Sequence, residues 1–183
     1  MFWLRGRTRL DRKVEHCFSL NKDTLNPYIY SVPGILETYH QVLPNIKPAG
    51  PTLFQFIIRT AISITQSASS GEIYHVLAIV TDGEIHDVSQ TVSAIVESSY
   101  LPLSIVIVGV GLESFSTMQQ LIAFPLRDEN GRQSARENTQ FVPFRNLGGN
   151  PNLLASLAMT KIPLQMVEYM NLIRYEPATT KDL

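Results

Sequence analysis

The sequence predicts an α/β domain built on a mostly parallel β-sheet flanked by helices. Two observations carry that expectation. "HVLAIVT" (75–81) and "LPLSIVIVGVG" (101–111) are unbroken apolar runs rather than alternating ones, as strands covered on both faces require. Each is joined to segments whose apolar residues recur at helical spacing, and strands alternating with helices imply parallel crossovers.

Taken in order, "KVEHCFSLN" (13–21) alternates Val14, His16, Phe18 and Leu20 on one face, which predicts a half-buried strand. "VPGILETYHQVL" (32–43) spaces Ile35, Leu36, Tyr39, Val42 and Leu43 for a helix that Pro44 helps to end. Pro51 suits the first position of a new helix, and Leu53 to about Ser67 is strongly apolar at helical period. The run 75–81 follows as a buried central strand. "DVSQTVSAIVESS" returns to helical period, 101–111 is a second buried strand, and "ESFSTMQQLIAF" predicts another helix. The polar stretch "PLRDENGRQSARENT" reads as a long exposed loop. "QFVPF" is a short strand, and one or two closing helices break near Pro163.

The 183 residues suit one domain with a real core; 44% hydrophobic and 17% charged residues describe a globular chain. Fifteen Lys and Arg stand against sixteen Asp and Glu, for a formal net charge of −1, which gives no reason to expect nucleic-acid binding. The basic cluster Arg5, Arg7, Arg9, Arg12 and Lys13 could touch acidic lipid or form a solvated end. The single cysteine, Cys17, excludes an internal disulfide framework and fits a reducing compartment, as a small buried hydrophobe or a reactive thiol. Apolar runs fall short of the roughly 20 residues of a spanning helix and no signal peptide opens the chain, so a soluble, intracellular protein is expected.

In open parallel sheets, ligands bind beyond the carboxyl ends of the strands. Asp82 sits at such an end, either as a metal or second-shell ligand or as the first residue of an Asp-Gly turn. Thr52 could give its hydroxyl to a hard cation such as Mg²⁺ or cap its helix. Asp87 has the form of a metal-binding Asp-x-Ser-x-Thr, but Gln90 three residues on makes it a capping box. "GVGLES" begins like a dinucleotide fingerprint, yet Ser114 replaces the third Gly. No nucleophile elbow or Walker sequence is present. His16, His40, His75 and His86 are scattered, with His75 expected to be satisfied and partly buried. An enzyme is not expected.

"KVEHCFSLN", "VPGILETYHQVLPNIKPAGPT", "YHVLAIVTDGEIHDVSQTVSAIVESSYLPLSIVIVGVG", "QFVPFR" and "KIPLQMVEYM" together resemble the von Willebrand factor A-type domain of copines. Plant RING-type ubiquitin ligases with a copine-like domain are similar too, but the short link after Asp82 and "QFVPFR" favour copines. The resemblance implies a von Willebrand factor A-like, Rossmann-like fold. It divides the chain into a basic segment (1–12), a partial domain (13–173) and a tail (174–183).

The resemblance also implies a metal-ion-dependent adhesion site, with Thr52 and Asp82 as ligands for Mg²⁺ or Mn²⁺. The family's first central strand and its Asp-x-Ser-x-Ser loop would precede the matching region. The expectation is therefore a domain truncated at its N-terminus, with an incomplete site and an open sheet edge. "MFWLRGRT" would stand for the end of the family's second strand.

The function so implied is a cytoplasmic protein-interaction module that recruits intracellular proteins. Ca²⁺-dependent attachment to anionic plasma membrane would come through domains absent here, or weakly through the basic N-terminus. The alternatives are the substrate-recruiting part of a RING-type ubiquitin ligase, and a phosphate- or nucleotide-handling enzyme resting on "GVGLES".

Overall fold

In the computed structural model, residues 1–8, 14–23, 26–68, 73–83 and 85–176 are described. Among the described residues, six strands form two three-stranded sheets. The first is antiparallel, in the order β2 (Val14–Ser19), β1 (Phe2–Thr8), β3 (Ile46–Pro48). The second is parallel, in the order β4 (His75–Thr81), β5 (Leu103–Gly109), β6 (Thr139–Pro143). Strand β1 lies inside the segment set apart as a basic N-terminal stretch; it pairs with both neighbours in its sheet, so that segment contributes to the fold.

Helix α1 (Ser31–Val42) contains no fully buried residue, although its apolar spacing predicts a core-facing stripe. Helix α2 (Gln55–Ser67) buries Ile57, Ile58 and Ile62 against the parallel sheet. It starts four residues after Pro51 rather than at it, because Pro51 to Leu53 run in irregular backbone. Helix α3 (Val88–Ser98) lies beside α2 and adds Ala94, Ile95 and Val96 to the same core, with Ile79, Ile105 and Ile107 from the sheet. Burying one such side chain contributes roughly 1.5–3 kcal/mol.

The helix expected over "ESFSTMQQLIAF" shrinks to α4 (Met118–Leu121). Serine competes for the backbone here: the Ser116 N–H donates to Ser114 Oγ at 3.4 Å, a bond a helix would not use. The closing helices are α5 (Pro151–Thr160) and α6 (Ile162–Leu172), broken at Lys161 beside Pro163. Asn150 caps α5 by accepting from the N–H groups of Asn152 and Leu153. These helices cover the second face of the sheet, over Val106 and Val108 of β5.

All seven residues of β5 are buried, as its apolar run predicts. Strand β4 is different, and here the expectation of a strand covered on both faces is corrected. Its burial alternates: Ile79 is buried, whereas Val76 and Val80 are 46% and 66% exposed. The register sets Val76, Ala78 and Val80 beside Ser104, Val106 and Val108, yet α5 and α6 do not extend over them. Nor does any described strand pair with its outer side, so β4 is an edge strand, in agreement with a sheet lacking its central first strand.

The polar stretch 125–139, expected to be exposed, turns partly inward: Ser134, Arg136, Asn138 and Thr139 are buried. The buried Arg136 guanidinium donates to the carbonyls of Leu101 (2.7 Å), Leu103 (2.9 Å) and Gln165 (3.1 Å), and it stands against the rings of Tyr74 and Tyr169. It thereby ties the start of β5 to α6. Burial lowers its pKa from the usual arginine value, with Tyr74 and Glu168 opposing the shift.

Cys17 packs against the main core and its Sγ accepts from the Thr60 hydroxyl at 3.7 Å. Burial pushes the thiol up, against smaller opposing effects from that bond and the terminal amine. Because folding favours the neutral thiol, this contribution is level below the ordinary thiol value of 9.0 and is lost as pH rises above it. Iodoacetamide at neutral pH should alkylate the folded chain roughly tenfold or more slowly than the unfolded one. Equal rates would contradict the packing.

Candidate functional site

The carboxyl ends of β4 and β5 meet at one loop cluster. The Val110 N–H donates to the Thr81 carbonyl at 2.8 Å, which carries the parallel pairing up to the start of both loops. Beyond it, Asp82 is exposed. Gly111 has φ +84°, and a Cβ there would lie 3.7 Å from the Asp82 carbonyl and 3.9 Å from its Cβ. The two loops are in close approach, and glycine permits the left-handed backbone this requires.

Thr52 is held from the same connection. The His86 N–H donates to the Thr52 carbonyl at 2.9 Å, and the Thr52 N–H donates to His86 Nδ1 at 3.3 Å. That second bond needs a neutral imidazole with its proton on Nε2. Thr52 does not cap α2, the alternative role weighed for it, since the residue flanking that helix is Phe54. Thus one short connection, Asp82 to Asp87, carries the exposed carboxylate and latches the loop bearing Thr52.

Asp87 corrects the capping-box expectation. It precedes α3, but its side chain makes no bond to that helix. Its two carboxylate oxygens instead accept from the Phe54 and Gln55 N–H groups, each at 3.0 Å, at the start of α2. A carboxylate there satisfies two orphan donors and complements the helix dipole. Sequence reasoning missed this because the capped helix lies more than thirty residues upstream. His86 was missed in its latching role for the same reason, and no local signal announces it.

Gly109 has a packing role at the end of β5. A Cβ on Gly109 would come within 2.8 Å of Phe115 and 2.9 Å of Phe141, whose rings pack at 5.3 Å between centroids. The glycine makes room for two aromatic side chains. Gly109→Ala should destabilise by about 1–3 kcal/mol through overpacking, read as a lower urea midpoint at unchanged slope. His75, expected to be satisfied, leaves its buried Nδ1 without a partner among the described residues.

As cation ligands, Thr52 and Asp82 are the right kind of donor and too few. Mg²⁺ demands near-octahedral oxygen coordination, and no group of three His, Cys, Asp or Glu suited to a metal occurs among the described residues. The residues described here therefore do not fit a tightly held divalent ion. At concentrations up to its dissociation constant, an ion stabilises a fold by no more than about 0.4 kcal/mol. Millimolar Mg²⁺ or Mn²⁺ should thus raise Tm by only about 1–2 °C. A larger shift abolished by Asp82→Ala would show that the site is completed.

Fold and loop cluster define an α/β domain that presents its loops beyond a parallel sheet, with a latched threonine and an exposed aspartate at the rim. The copine family model matches residues 5–178. Copine-C of Dictyostelium discoideum is 40% identical over 172 residues, covering 90% of this chain and 31% of that protein. Copine-E of the same organism is 40% identical over 177 residues, covering 94% of this chain and 30% of that protein. The chain belongs to the copine family, and it spans about a third of the length of these curated relatives. No helix among the described residues is long and apolar enough to cross a membrane.

Proposed function

We propose that this chain is a non-catalytic protein-interaction module of the copine type, whose contact surface is the loop cluster around Asp82, Thr52 and Gly111. One observation carries the reading: the chain fixes this cluster with buried and latching bonds from Asp87 and His86 while leaving the Asp82 carboxylate exposed. A rigidly supported, solvent-facing polar group on a loop suits recognition of another molecule. The partners are intracellular proteins. Calcium-dependent attachment to anionic membrane belongs to other segments of full-length relatives.

Two measurements on the isolated chain test this. Sedimentation with phosphatidylserine vesicles should show no calcium-stimulated binding; such binding would overturn the division of labour. Affinity capture from cytosol should retain a defined set of proteins with the native chain and lose it with Asp82→Ala. An unchanged set would move the contact surface elsewhere.

A further inference from the structure

We propose that Asn130, at the tip of the 125–139 loop, is a site of spontaneous deamidation, and that a turn anchored on Asp128 sets its rate. Among the asparagines of the sequence only Asn130 precedes a glycine. The chemistry uses that pair directly. The Gly131 backbone nitrogen, deprotonated by base, attacks the side-chain carbonyl carbon of Asn130. The new C–N bond closes a succinimide ring, the bond to the side-chain nitrogen breaks, and ammonia leaves. Water then opens the ring at either carbonyl to give aspartate or isoaspartate, with nothing oxidised or reduced. A side chain on the following residue would crowd the ring closure, and glycine brings none.

Placement supplies access. Asn130 and Gly131 are both exposed, and a Cβ at Gly131 would meet no heavy atom within 4 Å. The backbone supplies restraint. The Gly131 N–H donates to the Asp128 carbonyl at 3.0 Å, so the attacking nitrogen is engaged as a donor. One Asp128 carboxylate oxygen accepts from the N–H groups of Asn130 (2.9 Å) and Arg132 (2.8 Å). The Asp128 N–H donates to the Arg132 carbonyl at 3.0 Å. Ring closure must wait for this turn to open. The same opening releases the Gly131 amide to solvent exchange, so a single local equilibrium governs both.

The product undoes the turn that restrained it. An isoaspartyl link lengthens the backbone by a methylene between residues 130 and 131, and the bonds from Gly131 and Arg132 to Asp128 fall out of phase. A new carboxylate also joins those of Asp128 and Glu129. This tip is tied to α3 and the residues after it. The Ser89 hydroxyl donates to the Glu129 carboxylate, and the Tyr100 hydroxyl donates to the Gln133 carbonyl at 2.7 Å. The Arg132 guanidinium stands 4.2 Å from the centre of the Tyr100 ring. Conversion therefore loosens the loop from α3.

Incubation of the folded full chain at neutral pH and physiological temperature tests the proposal, read by peptide mass mapping with isoaspartate detection and by amide hydrogen exchange. The expected result is conversion at Asn130, slower than in the urea-unfolded chain by the protection factor of the Gly131 amide. Asp128→Ala should raise the conversion and exchange rates together by roughly tenfold, the effect of losing two hydrogen bonds in an exposed turn. Asp128→Asn, which keeps an acceptor, should fall between. Asn130→Gln should abolish conversion in this peptide, because the longer side chain closes its ring far more slowly. Thermal unfolding should stay cooperative in all three, since the tip is exposed. No conversion at Asn130 within the time that the Gly131 exchange rate allows overturns the site. Conversion that Asp128→Ala does not accelerate overturns the role of the turn.

Discussion

Replacing Arg136 with methionine should destabilise the chain by about 3–5 kcal/mol, the largest effect expected of any single change here. The argument rests on what the guanidinium leaves behind. Methionine can reoccupy the space of the aliphatic stem, but the carbonyls of Leu101, Leu103 and Gln165 lose their charged donor in a buried setting. Each unsatisfied buried polar group costs roughly 1–3 kcal/mol. Some of that is recovered where the Leu103 carbonyl keeps the Asn138 amide at 3.3 Å. Arg136→Lys should rescue only part of the loss, because an ammonium lacks the planar fork that reaches carbonyl acceptors at the start of β5 and on α6 together. Urea unfolding of the three proteins decides it. A loss below about 1 kcal/mol for the methionine variant would show that the buried fork is dispensable.

Asp87→Ala should cost about 2–4 kcal/mol, from two N–H groups at the start of α2 that lose a charged acceptor. For a domain of this size that corresponds to a fall in Tm of about 5–15 °C. Asp87→Asn, which keeps one good acceptor, should fall between. If Asp87 instead served α3, where its position in sequence puts it, the loss would be that of an ordinary cap, about 1 kcal/mol. Hydrogen exchange separates the two: deprotection should concentrate in the first turn of α2, with α3 unchanged.

These two residues also show where the sequence was legible and where it was not. The runs 75–81 and 103–109 announced β4 and β5 because an unbroken apolar stretch has few other homes. Periodicity announced α2 and α3 for the same physical reason. It could not tell that β4 would be bare on one face, since that depends on what stands beside it and not on its own residues. Asp82 and the glycines at the strand ends were readable because open sheets concentrate loops there. Arg136 lay in a stretch whose polar composition is that of a solvated loop. Asp87 was read against the helix it precedes, because capping rules look only a few residues ahead. Both act across more than twenty-five residues of sequence, beyond the reach of any local pattern.

The connection from Asp82 to Asp87 carries one more consequence. Surface loops ordinarily accept insertions at little cost, since closure entropy grows slowly with length. This one is pinned at its start by the pairing of Thr81 with Val110, and near its end by His86 on Thr52 and Asp87 on α2. An added residue between Ile85 and Asp87 would throw the latch and the cap out of phase together, whereas one at Gly131, in the exposed tip of the 125–139 loop, would disturb neither. This segment has to preserve its length as well as the side chains of His86 and Asp87.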